Sequence, residues 1–80
     1  MTVHDGLRFL EQMLDLAPHT LTGAERLKDV ETWDSLSTML FIASVDKQFG
    51  VPLAGNRVIR CQTVAELCAL LEEVVVARAA

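Results

Sequence analysis

Apolar residues recur at helical spacing through most of the chain. Val3, Leu7, Leu10 and Leu14 follow i, i+4, i+7, i+11, and Phe9, Met13 and Leu16 widen that face. Such a repeat arises when one side of a helix meets a core every 3.6 residues, so it predicts a first helix over 3–16. Thr2 stands where it can cap that helix, with Asp5 three residues on in capping-box spacing. Pro18 is expected to end it, because the residue before a proline is pushed out of helical space. Over 17–33 the repeat is lost. Pro18 and Gly23 are turn formers there, while Leu21, Leu27 and Val30 can pin the segment to a core. A connection of this length is uncommon in a compact domain and is often functional. Thr22-Gly-Ala-Glu25 has capping-box spacing, which suggests a helical turn inside it.

The repeat resumes at Ser35, with Asp34 as N-cap, and runs to Phe49 before Gly50 and Pro52. Leu36, Met39, Leu40, Phe41, Ile42, Ala43, Val45 and Phe49 leave this helix little polar face. It is therefore expected to be buried on most sides or to offer apolar surface to a partner. A short third element fits 56–61, with Val58 and Ile59 apolar and Arg57 and Arg60 polar. A fourth helix opens on the capping box Thr63-Val-Ala-Glu66 and turns Val64, Leu67, Cys68, Leu71, Val74 and Val75 inward. Val74-Val-Val76 is β-branched but continues the helical register, so no strand pair is expected. The predicted fold is all-α: a small antiparallel four-helix bundle, three helices longer and one short, in a single domain over 1–80. Its core is expected to draw on Leu7, Leu10, Leu14, Leu36, Ile42, Val45, Phe49, Val64, Leu67 and Leu71.

Composition narrows the function. Eighty residues bury about 60–65% of the unfolded surface, enough for one core and too little for a cleft between lobes. With 51% hydrophobic residues the chain is not a disordered tail. Seven Lys+Arg against eleven Asp+Glu give −4, which argues against nucleic acid and suggests basic partner surfaces. The longest apolar run, 39–43, is far short of a membrane span, and residues 1–5 lack the start of a signal peptide. Cys61 and Cys68 make no disulfide framework, so a reduced, cytoplasmic setting is expected. Without a CxxC or a nearby His pair, no metal site is expected. His4, His19 and the Glu72-Glu73 pair are expected to face solvent. With no Gly-x-Ser-x-Gly elbow, no glycine-rich phosphate loop and no histidine placed as a base, the chain is not expected to be an enzyme.

The sharpest motif is Trp33-Asp34-Ser35-Leu36, at the joint between long loop and apolar helix. A serine in the first turn faces unpaired backbone N–H groups and the positive end of the helix dipole. That setting favours a phosphate ester on the hydroxyl. Asp34 can cap the helix, and Leu36 is expected to turn inward and anchor its start. Trp33 is either a partner contact or an anchor of the loop. Ser37 and Ser44 compete as modified serines, but neither follows an Asp or opens the helix.

Asp34-Ser-Leu36, with Phe49-Gly-Val-Pro52 and Thr63-Val64 at this spacing, resembles the acyl carrier protein family over nearly the whole chain. The resemblance implies that Ser35 carries 4′-phosphopantetheine, moved from coenzyme A by a phosphopantetheinyl transferase, with Asp34 and Leu36 as supports. The arm would hold cargo as a thioester for acyl- or aminoacyl-activating and transfer enzymes. It also implies a free-standing monomeric carrier that contacts neither nucleic acid nor membrane.

The chain departs from the fatty-acid members in its second helix, which in them is rich in acid. Net charge is −4 over 1–34, zero over 35–50, +2 over 51–62 and −2 over 63–80. This points to a specialised acyl carrier of a lipid, polyketide or polysaccharide pathway, docked through Trp33, Met39, Leu40 and Arg57. An aminoacyl or peptidyl carrier and an unmodified helical adaptor remain the alternatives.

Overall fold

A computed structural model describes residues 2–79. The described chain is all-helical: α1 (Val3–Met13), α2 (Ser35–Phe49), α3 (Gly55–Ile59) and α4 (Val64–Ala79), with a 3-10 turn at Leu27–Asp29 between α1 and α2. Helix α1 packs chiefly on α4, while α2 packs on α1 and α3. No helix among the described residues is long and apolar enough to cross a membrane.

The core follows the predicted stripes with named exceptions. Leu10, Phe41, Val45, Val58, Val64, Leu67, Cys68 and Leu71 are almost wholly buried. Phe9 joins them, edge-on to Phe41 with ring centroids 6.1 Å apart and tilted on Phe49 at 5.7 Å. Ile42, Phe49, Val74 and Val75 are half-buried against this cluster, and Leu70 adds to it. Val3 was expected on the inward stripe of α1, but its side chain lies outside the described set. Gly6 lets α1 approach α4 closely, since a Cβ there would stand 3.1 Å from the Cys68 sulfur.

Thr2 and Asp5 form the expected capping box at the start of α1. The helix ends at Met13, earlier than the expected position 16, and Pro18 is not the cause. Asp15 takes a left-handed conformation, φ 58°. The Leu16 amide then donates to the Glu11 carbonyl (2.8 Å) and the Asp15 amide to that of Gln12 (3.3 Å), closing the helix end as a Schellman motif. Leu14, expected in the core, becomes the half-buried cap residue.

The loop does hold a helical turn, the 3-10 turn at Leu27–Asp29, but residues 22–25, whose spacing suggested one, form none. Instead the Glu25 carboxylate accepts from the Thr22 amide (2.9 Å), the Thr22 hydroxyl (3.0 Å) and the Gly23 amide (2.9 Å). The loop carbonyls of Glu25 and Gly23 take the amides of Val64 and Ala65, each at 2.9 Å. The Thr63 hydroxyl takes the Glu66 amide at 3.2 Å, so the first-turn donors of α4 are met partly by the loop and partly by the predicted cap. The third element runs over Gly55–Ile59, starting one residue earlier and ending two earlier than expected.

Nothing in the periodicity marked Glu11, yet it is only 1% exposed. Its carboxylate accepts from the amides of His19 (3.2 Å) and Leu21 (2.8 Å) and pairs with Arg8 (2.7 Å), fastening the loop to α1. Burial works to raise its pKa, but the two amides and the Arg8 charge outweigh this and hold it below the ordinary value. A lowered folded-state pKa contributes stability that is present above the unfolded value, 4.5, and is lost as pH falls through the folded one. Circular-dichroism melts should therefore hold a steady Tm down to about pH 4.5 and fall below it. Glu11→Gln should lower Tm at neutral pH by roughly 5–10 °C and flatten the acid limb.

Candidate functional site

The site is built where the loop becomes α2. Asp34 is the N-cap, and its carboxylate accepts from the Ser37 amide at 2.9 Å. The Asp34 carbonyl takes the Thr38 amide (3.0 Å) and the Thr38 hydroxyl (3.1 Å). Ser37 is buried, and its hydroxyl bridges the Thr32 carbonyl (2.6 Å) and the Asp34 carboxylate (3.1 Å). One hydroxyl proton is thus shared between the end of the loop and the cap of the helix. The amide and hydroxyl of Ser37 hold the Asp34 carboxyl below its usual range. Upstream, the Trp33 amide donates to Val30 at 2.9 Å, and the half-buried indole meets Phe41 edge-on at 6.1 Å. Trp33 is therefore an anchor of the loop on the core, with part of its surface still open.

Ser35, the first residue of α2, is exposed, and its hydroxyl makes no hydrogen bond among the described residues. It stands at the positive end of a 15-residue helix, where an ester anion is favoured. The chain's other two serines differ, with Ser37 buried and bonded and Ser44 half-buried. Among the three, burial leaves Ser35 as the exposed hydroxyl at a helix start.

Leu36 corrects the expectation of an inward anchor, since it is 72% exposed. The inward face of α2 is set by Phe41 and Val45. Leu36 lies five residues before Phe41, about 140° around the helix from it. It opens a surface stripe instead, continued by Met39 (67% exposed), Leu40 (47% exposed) and Ala43 at i, i+3, i+4 and i+7. Leu40, ambiguous in the sequence between core and docking, is surface. Arg57 does not join the stripe, because its guanidinium reaches back to Glu73 on α4 at 2.8 Å. Sequence reasoning missed Ser37 as a structural partner of the cap, although Asp at the cap with Ser three residues on is a recognisable capping spacing. It also missed Ile59, which α3 leaves 76% exposed.

Burial raises the Cys61 thiol pKa and pushes that of Cys68 up to about 11, so both stay protonated near neutrality. His4 and His19 are exposed as expected, with their rings 6.3 Å apart and His19 against Arg8 at 2.7 Å. Of the acidic pair, Glu73 is exposed and Glu72 half-buried, which corrects the expectation for Glu72. Among the described residues no three His, Cys, Asp or Glu side chains gather as a metal site.

A protein-family model described as "Phosphopantetheine attachment site" matches residues 8–71. No curated protein and no solved structure matches the chain.

The Ser37 bridge gives a direct test. In Ser37→Ala the Asp34 carboxyl should titrate higher, nearer an ordinary aspartate, in a carbon-detected NMR titration. The lost hydroxyl bonds should cost about 1 kcal/mol in denaturant unfolding.

Proposed function

The chain belongs to the phosphopantetheine attachment site family, whose domains carry covalent 4′-phosphopantetheine, and on that premise we propose that Ser35 is the attachment residue of an acyl carrier. Carrier domains of this kind are in general not catalysts, and they are served by a phosphopantetheinyl transferase and by enzymes that load and use the cargo. The observation that carries the assignment is the exposed, unbonded hydroxyl of Ser35 at the start of α2, set against the buried or half-buried hydroxyls of Ser37 and Ser44. The residues present fit the group. The hydroxyl is free to form a phosphodiester, and the helix start favours the negative charge that the diester brings. When bound, the arm supplies a terminal thiol that holds cargo as a thioester. Asp34 and Ser37 then act as supports that fix the start of α2, and neither needs to touch the arm.

The surface beside Ser35 supports a specialised carrier. Leu36, Met39 and Leu40 offer partners an apolar stripe with one acid, Asp46, later on the helix, so docking here relies on apolar burial more than on charge. Trp33 contributes the open edge of its ring. Leu36, exposed beside the serine, moves from support to docking residue in this reading. The reading comprises an acyl cargo, a monomer and a cytoplasmic setting. An aminoacyl cargo is the second reading of the same serine, and parallel loading by acyl-activating and amino-acid-activating enzymes separates the two.

Co-expression with a broad-specificity phosphopantetheinyl transferase, followed by intact mass and peptide mapping, should place one phosphopantetheine on Ser35. Ser35→Ala should gain none, while Ser44→Ala should load like wild type. Modification of Ser35→Ala would overturn Ser35 as the attachment residue, and none of wild type would point to the helical adaptor instead. In Met39→Ala/Leu40→Ala, both exposed side chains, folding stability should change by no more than about 1 kcal/mol. Its kcat/KM as a substrate of the transferase or of a loading enzyme should fall about tenfold.

A further inference from the structure

Folding gathers cations that are distant in sequence. An antiparallel bridge between Arg26 and Thr63, with the Leu27 amide donating to the Gln62 carbonyl at 2.8 Å, lays the middle of the long loop along the α3–α4 connection. A groove of about 420 Å³ lies there, lined by Arg26, Leu27, Lys28, Cys61 and Gln62. A second, of about 410 Å³, lies between α3 and α4, where Arg57, Arg60, Glu66 and Glu73 supply its charges. Cys61 lines both, so the two meet at its side chain.

The charges along this surface are unequal. Four cations and two carboxylates line the pair of grooves. Glu73 pairs with Arg57 at 2.8 Å, while Glu66 keeps its charge, bonded to the neutral Gln62 amide and Thr63 hydroxyl, each at 3.4 Å, so three cations stand against one carboxylate without an ion-pair partner. Arg26, Lys28 and Arg60 are exposed and have no ion-pair partner among the described residues. A chain of net charge −4 thus carries a cationic side, formed by three segments of which only one is basic on its own.

We propose that this side is a second docking surface, used beside the apolar stripe of α2, and that it takes an acidic face of a partner protein. Like charges across an interface are costly and opposite ones orient the encounter, so a partner's Asp and Glu side chains are the groups that Arg26, Lys28 and Arg60 select. A nucleic acid or an anionic membrane fits less well. Either presents a continuous array of phosphates, while the rest of this surface is acidic and the cations are few. The neutral floor at Cys61 and Gln62 leaves room for carboxylate side chains to enter between the cations. The proposal does not depend on Ser35 being the attachment residue, and its test reads binding and not loading.

The test titrates the isotopically labelled full chain, at physiological salt, with three probes: a Glu/Asp-rich dodecapeptide, a DNA oligonucleotide of equal charge, and vesicles containing phosphatidylglycerol. The peptide should shift amides of residues 25–28 and 57–63 and leave the start of α2 unmoved. Arg26→Gln/Lys28→Gln/Arg60→Gln should bind it about tenfold more weakly. Lys47→Gln, which removes an exposed cation elsewhere, should bind like wild type, and matching melting curves would show that both variants are folded. No binding to the peptide, shifts scattered over the surface, equal weakening in the control variant, or tighter binding to the oligonucleotide or the vesicles would each overturn the proposal.

Discussion

The path of the long loop depends on one carboxylate. Glu11 lies in the last turns of α1, almost without exposure, and collects the amides of His19 and Leu21 while paired with Arg8. A loop without a ladder must find acceptors for its N–H groups, and a buried unpaired amide is costly. Glu11 supplies two of those acceptors at the loop's beginning, and Glu25 supplies two more at Thr22 and Gly23. Leu21 can then enter the core, and the chain reaches the start of α4, where its carbonyls cap that helix. The route of the loop in turn sets where Trp33 and Asp34 stand, and with them the start of α2.

The serine site is thus a rigid junction with a free hydroxyl on it. Asp34 and Ser37 join loop and helix through three hydrogen bonds, and Trp33 packs on Phe41 just before them. The side chains that order the junction face inward or toward one another, while Ser35 and Leu36 face out. This division suits the proposed attachment of phosphopantetheine at Ser35, which a transferase would have to reach. It also explains why the helix is apolar nearly all round: one stripe, through Phe41 and Val45, serves the core, and another, through Leu36, Met39 and Leu40, remains at the surface.

Net charge is a poor guide to the surfaces of so small a protein. The value of −4 suggests basic partners everywhere, yet α2 is neutral and a cationic side is assembled from the loop, α3 and the connection to α4. Charges at the surface act within about 10 Å, so local grouping decides what a partner meets. Glu73 in these grooves is paired with Arg57 and Glu66 is bonded only to neutral groups, so Arg26, Lys28 and Arg60 outnumber the one carboxylate left without a cation.

Much of this was legible in the amino-acid order. The helical repeat located all four helices, because a helix in a small domain must bury a face at regular spacing. Local capping chemistry marked the ends at Thr2, Asp34, Gly50 and Thr63, and the Asp-Ser-Leu junction singled out the serine proposed as the attachment residue. What periodicity cannot carry is which of two apolar stripes on one helix meets the core, so the outward turn of Leu36 was settled only by packing. The same holds for the early end of α1 at Asp15, for the burial of Glu11 and for the bond from Ser37 to Thr32. Each depends on a backbone group or a neighbour brought near by the fold. The meeting of Arg26 and Lys28 with Arg60 is the furthest case, since more than thirty residues separate them along the chain and only the docking of the loop on the start of α4 makes them one surface.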